Sequence, residues 1–93
     1  MIIGTGKIFL HAGWVHSLKE KRMIVKSIIA KTKNKFNVSI AEIENLDEHK
    51  SIVLGLACVS NDTQHVNSMI QNAFNYIENN TEALVEKIEV EIL

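Results

Sequence analysis

The segment SIVLGLACVSND, Ser51 to Asp62, joins a strand that is apolar on both faces to the start of a helix. Its first ten residues are typical of a central strand in a sheet. Asn61 or Asp62 then supplies an N-cap. After the cap, apolar residues recur at intervals of three and four and therefore predict a second helix. They are Val66, Met69, Ile70, Ala73, Phe74 and Ile77.

The chain before this segment predicts two strands and a first helix. Ile2 to Ala12 alternates with period two, which indicates a strand with one face of small and apolar residues, and Gly13 ends it. From Leu18 to Phe36 the period changes, giving an amphipathic helix of about five turns. Val38 to Glu44 predicts a strand, and a polar connection of hairpin length, Asn45 to Lys50, leads into Ser51.

The last segment, Leu84 to Leu93, alternates apolar and charged residues and predicts a half-exposed edge strand protected by charge. The order β-α-β-β-α-β favours a ferredoxin-like α+β sandwich. In that fold a four-stranded antiparallel sheet of order 4-1-3-2 carries two helices on one face. With 93 residues and 46% apolar composition, residues 1–93 are predicted to form one globular domain.

Composition also indicates the cellular compartment of the protein. The early apolar run is broken by glycines and Lys7, so we expect neither a signal peptide nor a membrane partner. One cysteine, Cys58, lies in an apolar run and is predicted to be a small buried residue rather than half of a disulfide. These features favour a cytoplasmic protein.

The net charge of -1 conceals a strong asymmetry along the chain. Lys7 to Lys35 contains eight cations and one acid, whereas the chain from Phe36 onward contains two cations and ten acids. A basic segment of this kind indicates either a polyanionic partner or simply a solvated charged surface.

The first turns of the first predicted helix carry cations, although a helix N-terminus is itself partially positive. Ser17 and Glu20 form an S-x-x-E capping box, yet cations crowd the first turns, where each costs on the order of 0.3 to 1 kcal/mol. Four cations lie within about 60° of one another on the helical wheel: Lys19, Arg22, Lys26 and Lys33. Three others flank the apolar arc on its other side: Lys21, Lys31 and Lys35. Either an external anion or distant acids within the fold must compensate them.

The loop before this helix adds two side chains that suit an anion or nucleic-acid site. Trp14 offers an indole that stacks on a base or, alternatively, plugs the end of the core. His16 offers a donor beside the backbone N–H groups of the helix start, or is only a packing neighbour of the cap. The predicted nucleic-acid or anion-binding residues are Trp14, His16, Ser17, Lys19, Lys21, Arg22, Lys26 and Lys33.

Other functions have weaker sequence support. The sheet face away from the helices offers only Phe9 for base stacking, so its semi-apolar character favours self-association instead. The histidines are scattered, no second cysteine exists, and Gly4 and Gly6 form no nucleotide-binding fingerprint. We therefore predict no catalytic residues, no metal and no cofactor.

The segments HSLKEKR and FNVSIAEIENLDEHKSIVLGLACVSND together resemble the YlxP-like family of small bacterial proteins of unknown function. The shared motifs are S-L-K-x-K-R, F-N-V-S-x-A-E and a central strand ending in S/G-N-D. They fall on Ser17 to Arg22, Phe36 to Glu42, and Asn61 with Asp62. Relatives often carry a proline before the first helix, where this chain has Ala12-Gly13-Trp14.

The resemblance implies a ferredoxin-like fold and, because the family's genes commonly sit among those for translation and ribosome maturation, a connection to RNA or the ribosome. Two hypotheses follow. The first is a non-enzymatic protein that binds RNA or a ribosomal subunit through its basic first helix. The alternative is a homodimer, formed through the open sheet face or a strand edge, or with the basic helix against the acidic surface of a partner.

Overall fold

The computed structural model describes all residues, 1–93, and contains four strands and two helices. In chain order they are β1 (Ile2–His11), α1 (Leu18–Lys35), β2 (Ser39–Glu44), β3 (Ser51–Ser60), α2 (Thr63–Asn79) and β4 (Leu84–Ile92). The sheet is antiparallel with the order β2-β3-β1-β4. The predicted ferredoxin-like topology and strand order are confirmed.

The core lies between one face of the sheet and the two helices. Alternate residues of β1 point into it, as the period-two pattern predicted, and β3 and α2 supply most of the remaining apolar side chains. The helix α2 packs very close to β1 at Gly6, where an added Cβ would lie 2.6 Å from the ring of Phe74. A glycine is favoured there because any side chain would have to displace that ring.

Both helix starts are capped by side chains. The hydroxyl oxygen of Ser17 accepts a hydrogen bond from the backbone N–H of Glu20 at 3.1 Å, which is one half of the predicted capping box. For α2 the sequence left Asn61 and Asp62 as alternatives, and the cap is Asp62. Its carboxylate accepts a hydrogen bond from the backbone N–H of Gln64 at 3.1 Å. Each cap satisfies a backbone donor that the helix itself leaves unpaired.

The strands β2 and β4 form the two edges of the sheet, and both contain a bulge. In β2 the pairing shifts between Glu42 and Glu44, and in β4 it shifts opposite Phe9 and Leu10. The side chains of β4 are more exposed than those of β2, because β4 has no buried residue whereas Ile40 of β2 is buried. The helix α1 packs on β2, and α2 lies over β1 and β3 and also contacts β4. Neither helix combines the length and the apolar character needed to cross a bilayer.

Candidate nucleic-acid interface

The outer face of α1 presents four exposed cations in one row. They are Lys19, Arg22, Lys26 and Lys33, which we call the basic face. No carboxylate lies within 4.0 Å of any of these four groups, since the ion pairs of the chain involve other cations. Their charges are therefore balanced only by solvent and mobile ions, and the surface is accessible to an external anion.

The prediction that Lys21 belongs to the anion-binding site is wrong. This side chain is fully buried, and its ammonium group donates to the backbone carbonyls of Asn45 at 2.7 Å and Glu48 at 2.6 Å. The carboxylate oxygen Oε2 of Glu42 lies 2.7 Å from the same nitrogen. Two of its three N–H donors bond to backbone carbonyls and the Glu42 carboxylate pairs with its charge, so internal oxygens surround the ammonium. Lys21 is not available to a phosphate and does not belong to the basic face.

The position of Lys21 on the helix explains its burial. It lies four residues before Val25 and seven before Ile28, so it falls on the stripe that faces the core. The Oε2 atom of Glu42 has no hydrogen-bond donor aligned with it, so its charge is balanced by the ammonium through an ion pair. One distant acid within the fold, Glu42, thus compensates this cation, whereas the basic face has no such partner.

The loop before α1 places Trp14 at the surface and Val15 in the core. The Trp14 side chain is 42% exposed, whereas Val15 is fully buried and occupies the end of the core. The indole borders a cleft of about 310 Å³ between α1 and the turn after α2. The cleft is lined by Trp14, Met23, Ile24, Ser27, Ile28, Asn80, Thr81 and Glu82. The indole therefore lies at the surface and does not plug the end of the core.

The remaining predicted site residues lie beside this loop. His16 and Ser17 are both exposed, and the Ser17 hydroxyl oxygen is engaged as the α1 cap. On the opposite side of the helix from the basic face, the Lys35 ammonium lies 5.2 Å from the centre of the Tyr76 ring of α2. A cation held over an aromatic face gains part of its stabilisation from the ring. Lys35 is therefore engaged within the fold.

The open face of the sheet forms a shallow groove of about 600 Å³. Across it, the ammonium of Lys7 in β1 pairs with the carboxylate of Glu44 in β2. The hydrogen bond that the Lys7 ammonium donates to Glu44 raises the pKa of Lys7 above its ordinary value, and the charges of Glu44 and Glu89 act in the same direction. The Lys87 ammonium lies 5.5 Å from the centre of the Phe9 ring, so the one aromatic side chain of this face is already covered by a cation.

The metal-ligating and nucleophilic side chains elsewhere in the chain form no cluster. No group of three histidine, cysteine, aspartate or glutamate side chains is placed to hold a metal ion. Cys58 is buried beside the backbone carbonyl of Val66, and burial raises the pKa of its thiol. A thiol with a raised pKa is a poor nucleophile because the thiolate is the reactive form.

Fold and surface together define a small ferredoxin-like α+β protein with an unpaired basic helix face. Residues 3–90 match the family described as "Protein of unknown function (DUF503)", and the chain belongs to that family. A curated relative, "Uncharacterized protein YlxP" of Bacillus subtilis (strain 168), is 39% identical over 62 residues, which cover 67% of each protein. The resemblance drawn from the two motif segments is thereby confirmed.

A solved structure assigned as a chlorite dismutase shows a distant likeness. It aligns with 99% of this chain at a TM-score of 0.47 and 12% sequence identity. The chain spans less than half of that protein, 44% of its length.

Proposed function

We propose that this protein is a non-enzymatic RNA- or ribosome-associated binding protein that contacts phosphates through the basic face of α1 and the loop before it. One observation carries the proposal. Four exposed cations stand in a row with no acid within reach, in a chain whose net charge is -1. The fold itself would not require such a row, because the core-facing stripe of α1 is separate from it.

The spacing of these cations suits a nucleic-acid backbone. At 1.5 Å of rise per residue, Lys19 and Lys33 lie about 21 Å apart along the helix axis, with Arg22 and Lys26 between them. A row of that length can contact several phosphates and release their condensed counterions. The half-exposed indole of Trp14 borders the cleft between α1 and the turn after α2, on a different side of α1 from the basic face, and offers a stacking surface for an unpaired base.

The family context supports the same partner class. The resemblance to the YlxP-like family implies genes that sit among those for translation and ribosome maturation. Lys19 and Arg22 belong to the motif that carries this resemblance, while Lys26 and Lys33 extend the same face beyond it.

Co-sedimentation with ribosomal subunits and with free structured RNA, measured across a salt series, tests the proposal. Charge reversal of Lys19, Arg22 and Lys26 to Glu together should abolish binding at moderate salt. It should also reduce the slope of log K against log salt by roughly two to three. Charge reversal of Lys31, Lys35 and Lys50 to Glu is the matched control, because it changes the net charge equally but leaves the basic face intact.

Two outcomes would reject the proposal. One is binding by the triple variant that matches the unmodified protein at every salt concentration. The other is the absence of binding by the unmodified protein even at low salt.

A second candidate is a homodimer in which the basic face meets the acidic surface of another copy. Seven of the ten acids from Phe36 onward have no cation within 4.0 Å, so a complementary surface exists on the same chain. Sedimentation without RNA separates the two candidates. This second one requires a dimer that dissociates as salt rises and is lost in the triple variant.

A further inference from the structure

The strand β4 is the longer of the two sheet edges. It spans nine residues, and after its bulge at Glu86 the stretch from Lys87 to Ile92 pairs without interruption, whereas the opposite edge strand, β2, spans six residues and pairs regularly only from Ser39 to Glu42. Short, bulged edges discourage pairing with another chain, while long edges promote it unless charge prevents it. The charges on β4 therefore either prevent pairing with another strand or favour a partner strand of complementary charge.

The backbone of β4 alternates between bonds to β1 and groups that point to the open edge. Ile3 and Leu93 exchange both N–H···O bonds, at 3.4 and 2.7 Å, so they form a hydrogen-bonded pair of the antiparallel ladder. Because such pairs alternate along a ladder, Glu89 also bonds towards β1, and the N–H and C=O groups of Ile88 and Val90 point outwards. A further strand would bond to those two residues.

Apolar side chains at the same positions are only partly covered by the fold. Ile88 is 42% exposed and Val90 is 37% exposed, although both pair with residues of β1 whose own side of the sheet faces the core. On the opposite face, Lys87 and Glu89 lie side by side with their charged atoms 3.0 Å apart. The edge thus combines free backbone groups, an apolar strip and two opposite charges.

We propose that β4 pairs antiparallel with β4 of a second copy, with Ile88 on the two-fold axis. In this register Lys87 of each copy faces Glu89 of the other, which gives two cross-strand ion pairs. Both are non-hydrogen-bonded pairs, the positions at which side chains approach most closely. On the other face, the two Ile88 side chains meet and extend the apolar strip across the axis.

The neighbouring registers are less favourable in charge. An axis at Glu89 sets Lys87 against Glu91 twice but also places two glutamates directly opposite each other, and an axis at Lys87 places two lysines opposite each other. An axis at Val90 sets Glu89 against Glu91 twice. A shift by a single residue would turn the apolar strip to the wrong face of the sheet. Only the axis at Ile88 forms opposite-charge pairs with no like-charge pair.

The resulting dimer has a continuous eight-stranded sheet with all four helices on one face. The basic face of α1 stays exposed in both copies, because α1 packs on β2, the edge farthest from β4. The dimer therefore does not rest on the RNA proposal. The residues that form the dimer contact, Lys87 to Val90, are unchanged in the triple variant that tests RNA binding. Either proposal can therefore fail while the other stands.

Charge exchange at the two paired positions tests the register by sedimentation equilibrium. Lys87→Glu and Glu89→Lys, each alone, create two like-charge pairs in the dimer and should raise its dissociation constant about tenfold. The combined variant K87E/E89K restores both pairs and should recover the original constant. Circular dichroism of each variant confirms that the monomer remains folded.

Disulfide crosslinking supplies an independent measurement in a Cys58→Ala background, which removes the one native thiol. Ile88→Cys should oxidise to a covalent dimer, because residues on the axis have Cα atoms about 5.5 Å apart. Val90→Cys is the matched control. Its two copies would be offset by four residues, about 14 Å, too far for a disulfide.

Three results would overturn the proposal. The first is a monomer at every concentration tested. The second is a dissociation constant of K87E/E89K that stays as weak as that of the single variants. The third is crosslinking of Val90→Cys, or of Glu89→Cys, in preference to Ile88→Cys.

Discussion

Replacing Lys21 with methionine tests how this protein holds α1 against its β2–β3 connection. The substitution keeps most of the side-chain volume but removes an ammonium that has no solvent exposure and contacts three oxygens within 2.7 Å. It leaves the Glu42 carboxylate, whose side chain is only 14% exposed, without a counter-charge. The carbonyls of Asn45 and Glu48 lose their donor at the same time.

Breaking a buried ion pair by removing one partner costs about 3 to 5 kcal/mol, because the remaining charge stays desolvated. The whole free energy of unfolding of a domain of this size is about 5 to 14 kcal/mol. Lys21→Met should therefore remove a large fraction of the stability. The midpoint of thermal unfolding, followed by circular dichroism, should fall by at least about 12 °C.

Two variants distinguish the ion pair from general damage to α1. Lys19→Met removes an exposed cation from the same helix and should change the free energy of unfolding by less than about 0.5 kcal/mol. The double variant K21M/E42M removes both charges and should recover about 2 kcal/mol or more of the loss. A loss below about 1 kcal/mol for Lys21→Met, or a double variant no more stable than the single one, would refute this reasoning.

Three further predictions concern packing, capping and the buried thiol. Gly6→Ala should lower the free energy of unfolding by about 1 to 3 kcal/mol in urea titrations, because the added methyl group meets the Phe74 ring. Asp62→Ala should cost about 1 kcal/mol through loss of the α2 cap, whereas Asn61→Ala, its neighbour, should have little effect. The Cys58 thiol, whose pKa is raised by burial, should react slowly with a thiol reagent at pH 8 and rapidly once urea unfolds the chain.

The cations of α1 show what a helical wheel predicts correctly and what it misses. The helical wheel grouped Lys19, Arg22, Lys26 and Lys33 correctly, because their relative directions depend only on the 3.6-residue period of the α-helix. The same wheel placed Lys21 at the flank of the apolar arc, although its spacing from Val25 and Ile28 puts it on the core stripe. Cations are almost never fully buried unless they are paired, and the partner Glu42 lies 21 residues away along the chain.

The loop before α1 shows a second limit. Trp14 and Val15 are adjacent, and a sequence without periodicity at that point does not indicate which of the two enters the core. The position of the loop between the end of β1 and the cap of α1 turns Val15 inwards and leaves Trp14 beside the cleft.

The sequence by itself determined the order of the elements, the strand order of the sheet, the bounds of β3 and the residue that caps α1. These features follow from local backbone geometry, from periods of 2 and 3.6, and from rules that restrict how strands and crossovers connect. The tertiary structure decided which cations are occupied within the fold, which side chains cover the open sheet face, and that β4 keeps Ile88 and Val90 exposed. Those outcomes depend on distances between residues far apart in the chain, which are set only when the helices pack on the sheet.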